Sequence, residues 1–491
     1  MQSWLPNPYR IVVLGGGLSG LSAAHALLKH SAIPCEVKVI ESGGNVGGWL
    51  SSTRFEDGAV MESGPRTARS YGNVAEKSLN IISDLPGIED RVIGIPKAGA
   101  GKRRYIYAGG EICELPSSLV SMASARRPFT ESLLWSLVKE VRVKKGELHD
   151  ESIYDFFARR FGVEIAQYMS TSLCRGIFGG DARKLSIRSC FPMLFDHEQR
   201  HGSIVKAELK SMLSSKFRTS PAKDSDLVQT AKTGNWMAWT LKNGIQTLPE
   251  MWAKHLSSSG VEILTDTECS KIDFIGDNKV NVHTSNGDIH ECERVISALP
   301  TNRLSQLLHS TPHTRLSQHL DTIKYASMAV VTLEYKNITL PVNGFGVLVP
   351  ASEPCNVLGV TFDSLVIPQH TAADSTVLTV MAGGAWFDDI FGDVDSGVDM
   401  TEVEQVAVRG VAELLGVTDE PYRVVSRVHT RCIPQYEVGH TERVRNIDGY
   451  VCGNNLPLTL VGTYDGGVGV NDAIVNARDR TLKMLSSNHM C

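Results

Sequence analysis

The sequence predicts an α/β fold in three parts: a Rossmann-type dinucleotide-binding domain, a mixed-sheet domain and a helical domain. Three observations predict it. A strand, a glycine turn, a helix, a second strand and an acid follow one another over Ile11 to Glu41. A strand-turn-helix pattern returns near the C-terminus, over Leu460 to Ile474. Further strand signals stand between these two segments, so the chain leaves the first domain and comes back to it. At 491 residues the chain is too long for one hydrophobic core, and two or three domains are expected.

The first series is read from its parts. Ile11-Val12-Val13-Leu14 is a continuous apolar run, as a strand buried on both faces should be. It enters Gly15-Gly16-Gly17-Leu18-Ser19-Gly20, with G-x-G-x-x-G at 15, 17 and 20. Gly15 permits the tight turn, Gly17 lets a pyrophosphate approach the backbone, and Gly20 lets the helix pack on the strand. Leu18, Leu21, Ala24, Leu27 and Leu28 fall on one helical face, and the helix N-terminus offers free N–H groups to phosphates. The second strand, Val37 to Ile40, ends in Glu41, whose carboxylate suits ribose hydroxyls and would repel a 2′-phosphate.

Ser42-Gly43-Gly44-Asn45-Val46-Gly47-Gly48-Trp49 follows at once. A glycine pair directly after the ribose acid is a feature of FAD-binding chains rather than of NAD dehydrogenases. At the far end, Thr463-Tyr464-Asp465-Gly466-Gly467-Val468-Gly469-Val470 leads into a helix expected to open near Val468, with Ala473, Ile474 and Ala477 inward. A helix N-terminus there can face the pyrimidine edge of a flavin. Val261 to Leu264 and Arg294 to Pro300 read as strands, and the alternation from Lys279 to His283 as a small sheet between them. Trp239 to Pro249 reads as the entry to that returning segment.

Composition narrows the function. With 49 basic and 54 acidic residues the formal charge is −5, so no electrostatic case for nucleic-acid binding exists. Ten cysteines are scattered without a CxxC pair, which argues against a zinc site or a disulfide scaffold. No apolar run reaches the roughly 18 residues of a membrane-spanning helix. Met1 to Arg10 resembles neither a secretory signal nor a mitochondrial presequence, so any organellar address is expected inside the fold. No Ser-His-Asp series, metal cluster or buried carboxylate pair is evident. His197, His201 and His440 are expected to be exposed or structural rather than bases.

Six further segments carry a resemblance. They are Glu62-Ser63-Gly64-Pro65-Arg66, Lys102 to Tyr107, Leu173 to Gly180, Leu185 to Pro192, Gly344 to Pro350 and Cys432-Ile433-Pro434-Gln435-Tyr436. With the two glycine-rich segments, this series resembles the oxygen-dependent protoporphyrinogen oxidases of the eukaryotic mitochondrial type, within the amine oxidase superfamily. The resemblance runs in order from about residue 10 to about residue 480. It implies oxidation of protoporphyrinogen IX to protoporphyrin IX, with dioxygen reduced to hydrogen peroxide and the flavin, not a side chain, carrying the chemistry. It also implies non-covalent FAD held by Gly15, Gly16, Gly17, Leu18, Ser19, Gly20, Glu41, Gly48, Trp49, Gly64, Pro65, Arg66, Thr67, Cys269, Thr463, Val468, Gly469 and Val470. Asn45 stands where relatives commonly carry arginine, which removes one expected pyrophosphate contact.

For the substrate, the resemblance implies Arg104 against a propionate and Gly176, Phe345, Leu348, Thr361 and Met381 around the macrocycle. Read alone, Arg104 would be a surface residue of the basic triplet Lys102-Arg103-Arg104, and Phe345, Leu348 and Met381 would be core. The implied division is an FAD-binding domain over 1–95, 235–302 and 435–491, a helical membrane-associated domain over 96–234 and a substrate-binding domain over 303–434. Leu133, Leu134, Leu137, Val138 and Val141, with Trp135 nearby and basic residues around them, suit a helix lying in a membrane interface. A soluble helix packed on its own core is the competing reading. The resemblance further implies peripheral attachment to the inner mitochondrial membrane on its intermembrane-space side, a homodimer, and ferrochelatase as a possible partner. An amine or polyamine oxidase and a non-catalytic interaction protein, like the GDP-dissociation inhibitors, remain alternatives on the same scaffold.

Overall fold

The computed structural model describes residues 8–214, 224–276 and 279–486. Its centre is a five-stranded, fully parallel sheet in the order Glu262–Leu264, Cys35–Ile40, Tyr9–Leu14, Arg294–Ser297, Leu458–Leu460. Strands from three remote parts of the chain thus meet in one sheet, as the returning pattern predicts. The middle strand is buried on both faces because helices cover one side and a small sheet the other.

Leu18–His30, Thr247–Ser258 and Val470–Ser486 form the helical layer. Every residue from Leu18 to Leu27 is buried, so this helix has no solvent face over nearly its whole length. Two serines make that possible: Ser22 Oγ donates to Ile474 O at 2.8 Å and Ser19 Oγ to Ala473 O at 3.4 Å. Leu28, expected inward, is exposed, as are Lys29 and His30 in the same last turn. The opposite layer is an antiparallel meander of Cys269–Phe274, Val280–Thr284 and Ile289–Cys292, the small sheet that the alternation predicts.

A second, seven-stranded mixed sheet runs in the order Arg423–Pro434, Tyr325–Lys336, Ser375–Gly384, Val357–Thr361, Gly346–Leu348, Tyr105–Ala108, Glu111–Glu114. Register assigns its two faces. Val331, Val380, Val360 and Val347 lie in one row and pack on the helix Met400–Leu415. Thr332, Thr379, Thr361 and Gly346 form one row of the other face, and Val330, Met381, Gly359 and Leu348 form the next. The expected helical stretch 96–234 therefore begins differently: Tyr105–Ala108 pairs in parallel with Gly346–Leu348, and its hairpin partner extends the same sheet. The helices proper run from 119 onward and share a core of Phe129, Ile153, Phe156, Cys174, Phe178, Leu185 and Ile187.

Candidate functional site

The first glycines build a cradle that side chains would fill. Gly15 has φ +96°, and its N–H donates to Ile40 O at 2.8 Å, turning the chain off the strand. A Cβ on Gly20 would lie 1.9 Å from Gly15 O, so the helix can start this close to the strand only with glycine. Gly47 N donates to Gly16 O at 2.9 Å, and a Cβ on Gly48 would sit 3.4 Å from Gly17 Cα. The second glycine pair is thus laid directly on the first loop. Glu41 ends its strand and accepts from Gly16 N at 2.7 Å and from Gly43 N at 2.8 Å, which fixes its carboxylate beside that loop. The helix Leu18–His30 has no side-chain cap and no acid in its first turn, so its N–H groups and dipole stay available to an anion. These features fit a dinucleotide pyrophosphate and ribose.

Several other positions expected to hold the cofactor lie close to one another. Gly64 approaches Trp49 so closely that a Cβ would meet Trp49 O at 2.2 Å, while His429 Nε2 bonds Ser63 O and its ring lies edge-on to Trp49 at 5.4 Å. Cys269 is buried two residues after Thr267, whose N–H donates to Glu41 O at 2.9 Å. Ala298 links the two ends of the site, lying 3.5 Å from a Cβ on Gly15 and 4.0 Å from one on Gly462. The closing helix runs Val470–Ser486, two residues later than expected. Its first turn carries Asp472, which accepts from Gly469 N at 3.1 Å and whose pKa burial raises. That carboxyl, missed in the sequence, stands at the helix end expected to face the flavin.

The residues expected to line the substrate pocket gather at the mixed sheet. Leu348 and Met381 share the row that Gly359 opens, and a Cβ on Gly176 would lie 2.7 Å from Leu348 Cδ2. All four of Gly176, Phe345, Leu348 and Met381 are half-buried, not core. Arg104 lies with its guanidinium 4.5 Å from the Phe345 ring centre and donates to Gly101 O at 3.1 Å and Met237 Sδ at 3.1 Å. Arg104 is exposed, as the basic triplet alone would have it; neighbouring atoms desolvate its guanidinium in part and pull its pKa down, and among the described residues it has no carboxylate partner. A guanidinium held by a ring, a carbonyl and a thioether keeps its capacity for a carboxylate.

Thr361 behaves differently. Its hydroxyl donates to Asp363 Oδ1 at 2.8 Å and receives Arg66 Nη1, while Thr379 donates to the other Asp363 oxygen. Arg66 also pairs with Asp363 at 3.4 Å, both side chains being largely buried. Thr361 therefore joins the cofactor segment to the substrate sheet, and its hydroxyl is already satisfied. Asp363 escaped the sequence reading; it opens the short helix Asp363–Val366 just after the strand ends at Thr361, which brings its carboxylate back onto the Thr361 hydroxyl. Arg175 escaped it too. Its buried guanidinium donates to the carbonyls of Val349 at 3.2 Å and Pro350 at 2.8 Å, holding the turn that follows Leu348.

Of the three histidines, His440 is the structural case: it is buried, bonds Tyr464 O at 2.8 Å, and burial lowers its pKa. One further expectation changes. Buried carboxylates do occur in the helical part: Glu140 and Glu198 flank Arg160, all three side chains being 0 % exposed.

Comparison with known proteins decides the family. Residues 18–478 match the family described as "Flavin containing amine oxidoreductase". A bovine (Bos taurus) protein named "Protoporphyrinogen oxidase" is 36 % identical, over 97 % of this chain and 98 % of its own. The chain belongs to the protoporphyrinogen oxidase family of flavin-containing amine oxidoreductases. A tobacco (Nicotiana tabacum) relative named "Protoporphyrinogen oxidase, mitochondrial" is 27 % identical over 97 % of this chain and 95 % of its own. A solved structure from an Exiguobacterium species, 20 % identical, aligns with a TM-score of 0.77 over 98 % of this chain and 99 % of that one, which shows the shared fold. As in other members of the protoporphyrinogen oxidase family, FAD is the cofactor.

Proposed function

We propose that this chain oxidises protoporphyrinogen IX to protoporphyrin IX with dioxygen as acceptor, releasing hydrogen peroxide, in the penultimate step of haem biosynthesis. One observation carries the reading beyond the family match. The sheet face that bonds the cofactor segment through Arg66 and Thr332 is half-buried and apolar in its next row, with an unpaired guanidinium at its edge. An apolar macrocycle with propionates needs both features.

Bound FAD supplies the two-electron acceptor. The chain's own residues do the rest by position. Glu41 holds the ribose, the uncapped helix end and Gly15 to Gly20 hold the pyrophosphate, and Gly48, Trp49, Gly64, Pro65, Arg66, Thr67 and Cys269 flank the cofactor. Thr463, Val468, Gly469 and Val470 close it. Arg104 pairs with a propionate, Gly176, Phe345, Leu348 and Met381 clamp the ring system, and Thr361 contributes by holding Arg66. Binding of this kind supplies orientation and a dry pocket.

Anaerobic mixing with protoporphyrinogen IX is expected to bleach the flavin absorption, and air to restore it; an unbleached flavin would sink the assignment. Arg104→Ala is expected to raise KM for protoporphyrinogen about tenfold or more, the size of a lost charge-assisted hydrogen bond, with FAD content unchanged. Unchanged Michaelis constants would remove Arg104 from the site.

The chain acts in mitochondria, as the name of the tobacco relative supports, attached peripherally to the inner membrane from the intermembrane-space side and as a homodimer, with ferrochelatase as a partner. The helix Leu133–Glu140 supports the attachment. It buries Leu133, Ser136 and Glu140 and exposes Leu134, Trp135 and Val138 at 39, 49 and 43 %. Among the described residues no helix is long and apolar enough to cross a membrane. Vesicles containing cardiolipin are expected to sediment the wild type but not a variant with Leu134, Trp135 and Val138 made polar, and equal sedimentation would rule this face out.

A further inference from the structure

The segment Gln435 to His440 belongs to neither residue set, yet it touches both. Gln435, buried, donates from Nε2 to Phe178 O at 3.0 Å, the last carbonyl of the helix Thr171–Phe178 that carries Gly176. The fit is tight: a Cβ on Gly180 would meet Gln435 Oε1 at 2.5 Å. Tyr436 is 1 % exposed, and its hydroxyl donates to Thr463 O and accepts from Gly467 N at 3.2 Å. Its own carbonyl accepts from Ser186 N at 2.7 Å. His440 stacks on the Tyr436 ring with centroids 4.2 Å apart and planes at 19°, and its Nε2 donates to Tyr464 O at 2.8 Å. That bond puts the ring proton on Nε2, and Nδ1, buried without a partner among the described residues, stays unprotonated, since burial lowers the pKa of the ring.

Three backbone groups of the closing segment, Thr463 O, Tyr464 O and Gly467 N, are therefore held by two uncharged side chains. A third side chain on the same six residues holds the substrate helix. The closing helix holds the same loop from its other side, through Arg480 on Asp465 at 2.7 Å, Asn476 on Asp465 O at 3.3 Å and Asp472 on Gly469 N at 3.1 Å, whereas Tyr436 and His440 tie it to the strap that reaches the substrate helix. Gly466 and Gly467 both have positive φ, which glycine adopts without strain, so the turn has few side chains of its own to fix it.

We propose that Gln435, Tyr436 and His440 form a strap of positioning residues that sets the substrate helix in register with the segment closing the flavin site. Its two ends have separate signatures. The Tyr436–His440 end governs how firmly the flavin is closed in, whereas the Gln435 end governs the placement of Gly176 and hence substrate binding. The proposal rests on the reading that residues 463–470 close the flavin site.

The test uses the holoenzyme. Release of FAD, followed by its fluorescence after dilution, is expected to be about tenfold faster in Tyr436→Phe, which keeps the ring and loses one neutral hydroxyl's bonds. Gln435→Ala is expected to release FAD within twofold of the wild-type rate while KM for protoporphyrinogen rises about tenfold. His440→Gln, which keeps an N–H donor, is expected to retain FAD better than His440→Leu, and this pair decides the matter should Tyr436→Phe fold poorly. Equal FAD release in His440→Gln, His440→Leu and the wild type would overturn the strap. So would equal acceleration in both His440 variants, which would assign the ring to packing alone. A wild type that holds no FAD would instead refute the underlying reading of the site, so the two failures are distinguishable.

Discussion

Gly20→Ala is expected to yield a folded protein that purifies without flavin and shows no oxidase activity. The added Cβ would lie 1.9 Å from Gly15 O and 3.1 Å from the Gly15 carbonyl carbon. Both are backbone atoms, and Gly15 is itself fixed by its bond to Ile40 O in the neighbouring strand. Relief is available only if the helix start moves away from the strand, and that movement opens the turn whose N–H groups take the pyrophosphate. Overpacking of this kind costs about 1–3 kcal/mol or more where the neighbours cannot yield. The whole of that cost falls on the cradle, because Val13 Cγ1, the nearest side-chain atom, is 3.4 Å away. Gly449→Ala is the matched control. Its Cβ would meet nothing within 4 Å on the helix His440–Gly453, so flavin content should be unchanged and stability unchanged or slightly higher. Absorbance of the purified proteins reads both outcomes. Full flavin occupancy in Gly20→Ala would mean that the cradle is not the pyrophosphate site.

That glycine could be placed from the sequence because everything it needs is local: a strand, a turn, a helix and an acid within thirty residues. The same holds for the meander at 269–292 and for the face Ala473, Ile474, Ala477, where short-range periodicity carries the information. What was not legible depends on partners far away in the chain. Tyr105–Ala108 looks like a short strand in any setting, and only pairing with Gly346–Leu348 puts it in the mixed sheet. Leu28 continues the apolar periodicity of its helix, yet it is exposed in the last turn, where burial depends on what the rest of the fold places beside it. Thr361 was placed at the macrocycle by resemblance, but its hydroxyl is committed to Arg66 and Asp363, each about 300 or two residues away. Leu134 and Val138 fit the apolar pattern, but the buried side of that helix is Leu133, Ser136 and Glu140, because Glu140 is drawn inward by a cation.

That cation gives the largest expected effect on stability. Arg160→Met should destabilise the helical part by about 3–5 kcal/mol, the cost of leaving a buried charge without its partner. Arg160 bonds Glu140 and donates to Glu198 Oε1 at 3.1 Å and Gly202 O at 3.1 Å. Glu140 also accepts from Ser203 Oγ at 2.6 Å and Ile204 N at 2.8 Å, so one acid ties together the helices Leu133–Glu140, Ile153–Phe161 and Ile204–Ser214. Burial alone would raise the pKa of both acids, but these hydrogen bonds outweigh it and hold both below the usual value of 4.5. A depressed folded pKa contributes stability that is present above the unfolded value and lost as pH falls through the folded one. The wild type should therefore weaken only below about pH 4.5. In Arg160→Met the sign reverses for Glu140, because without the cation burial raises its pKa, and stability should then improve as pH drops from 7 towards 5. Glu198 keeps Arg159 at 2.7 Å and should reverse less. Thermal melts of both proteins at pH 5 and pH 7.5 separate the two slopes. The effect should reach the site as well, since Ile153 N and Tyr154 N, at the start of the Arg160 helix, bond Leu185 O and Ala182 O in the loop that follows the Gly176 helix. A variant that melts with the wild type at both pH values would show that the pair is not what holds these helices together.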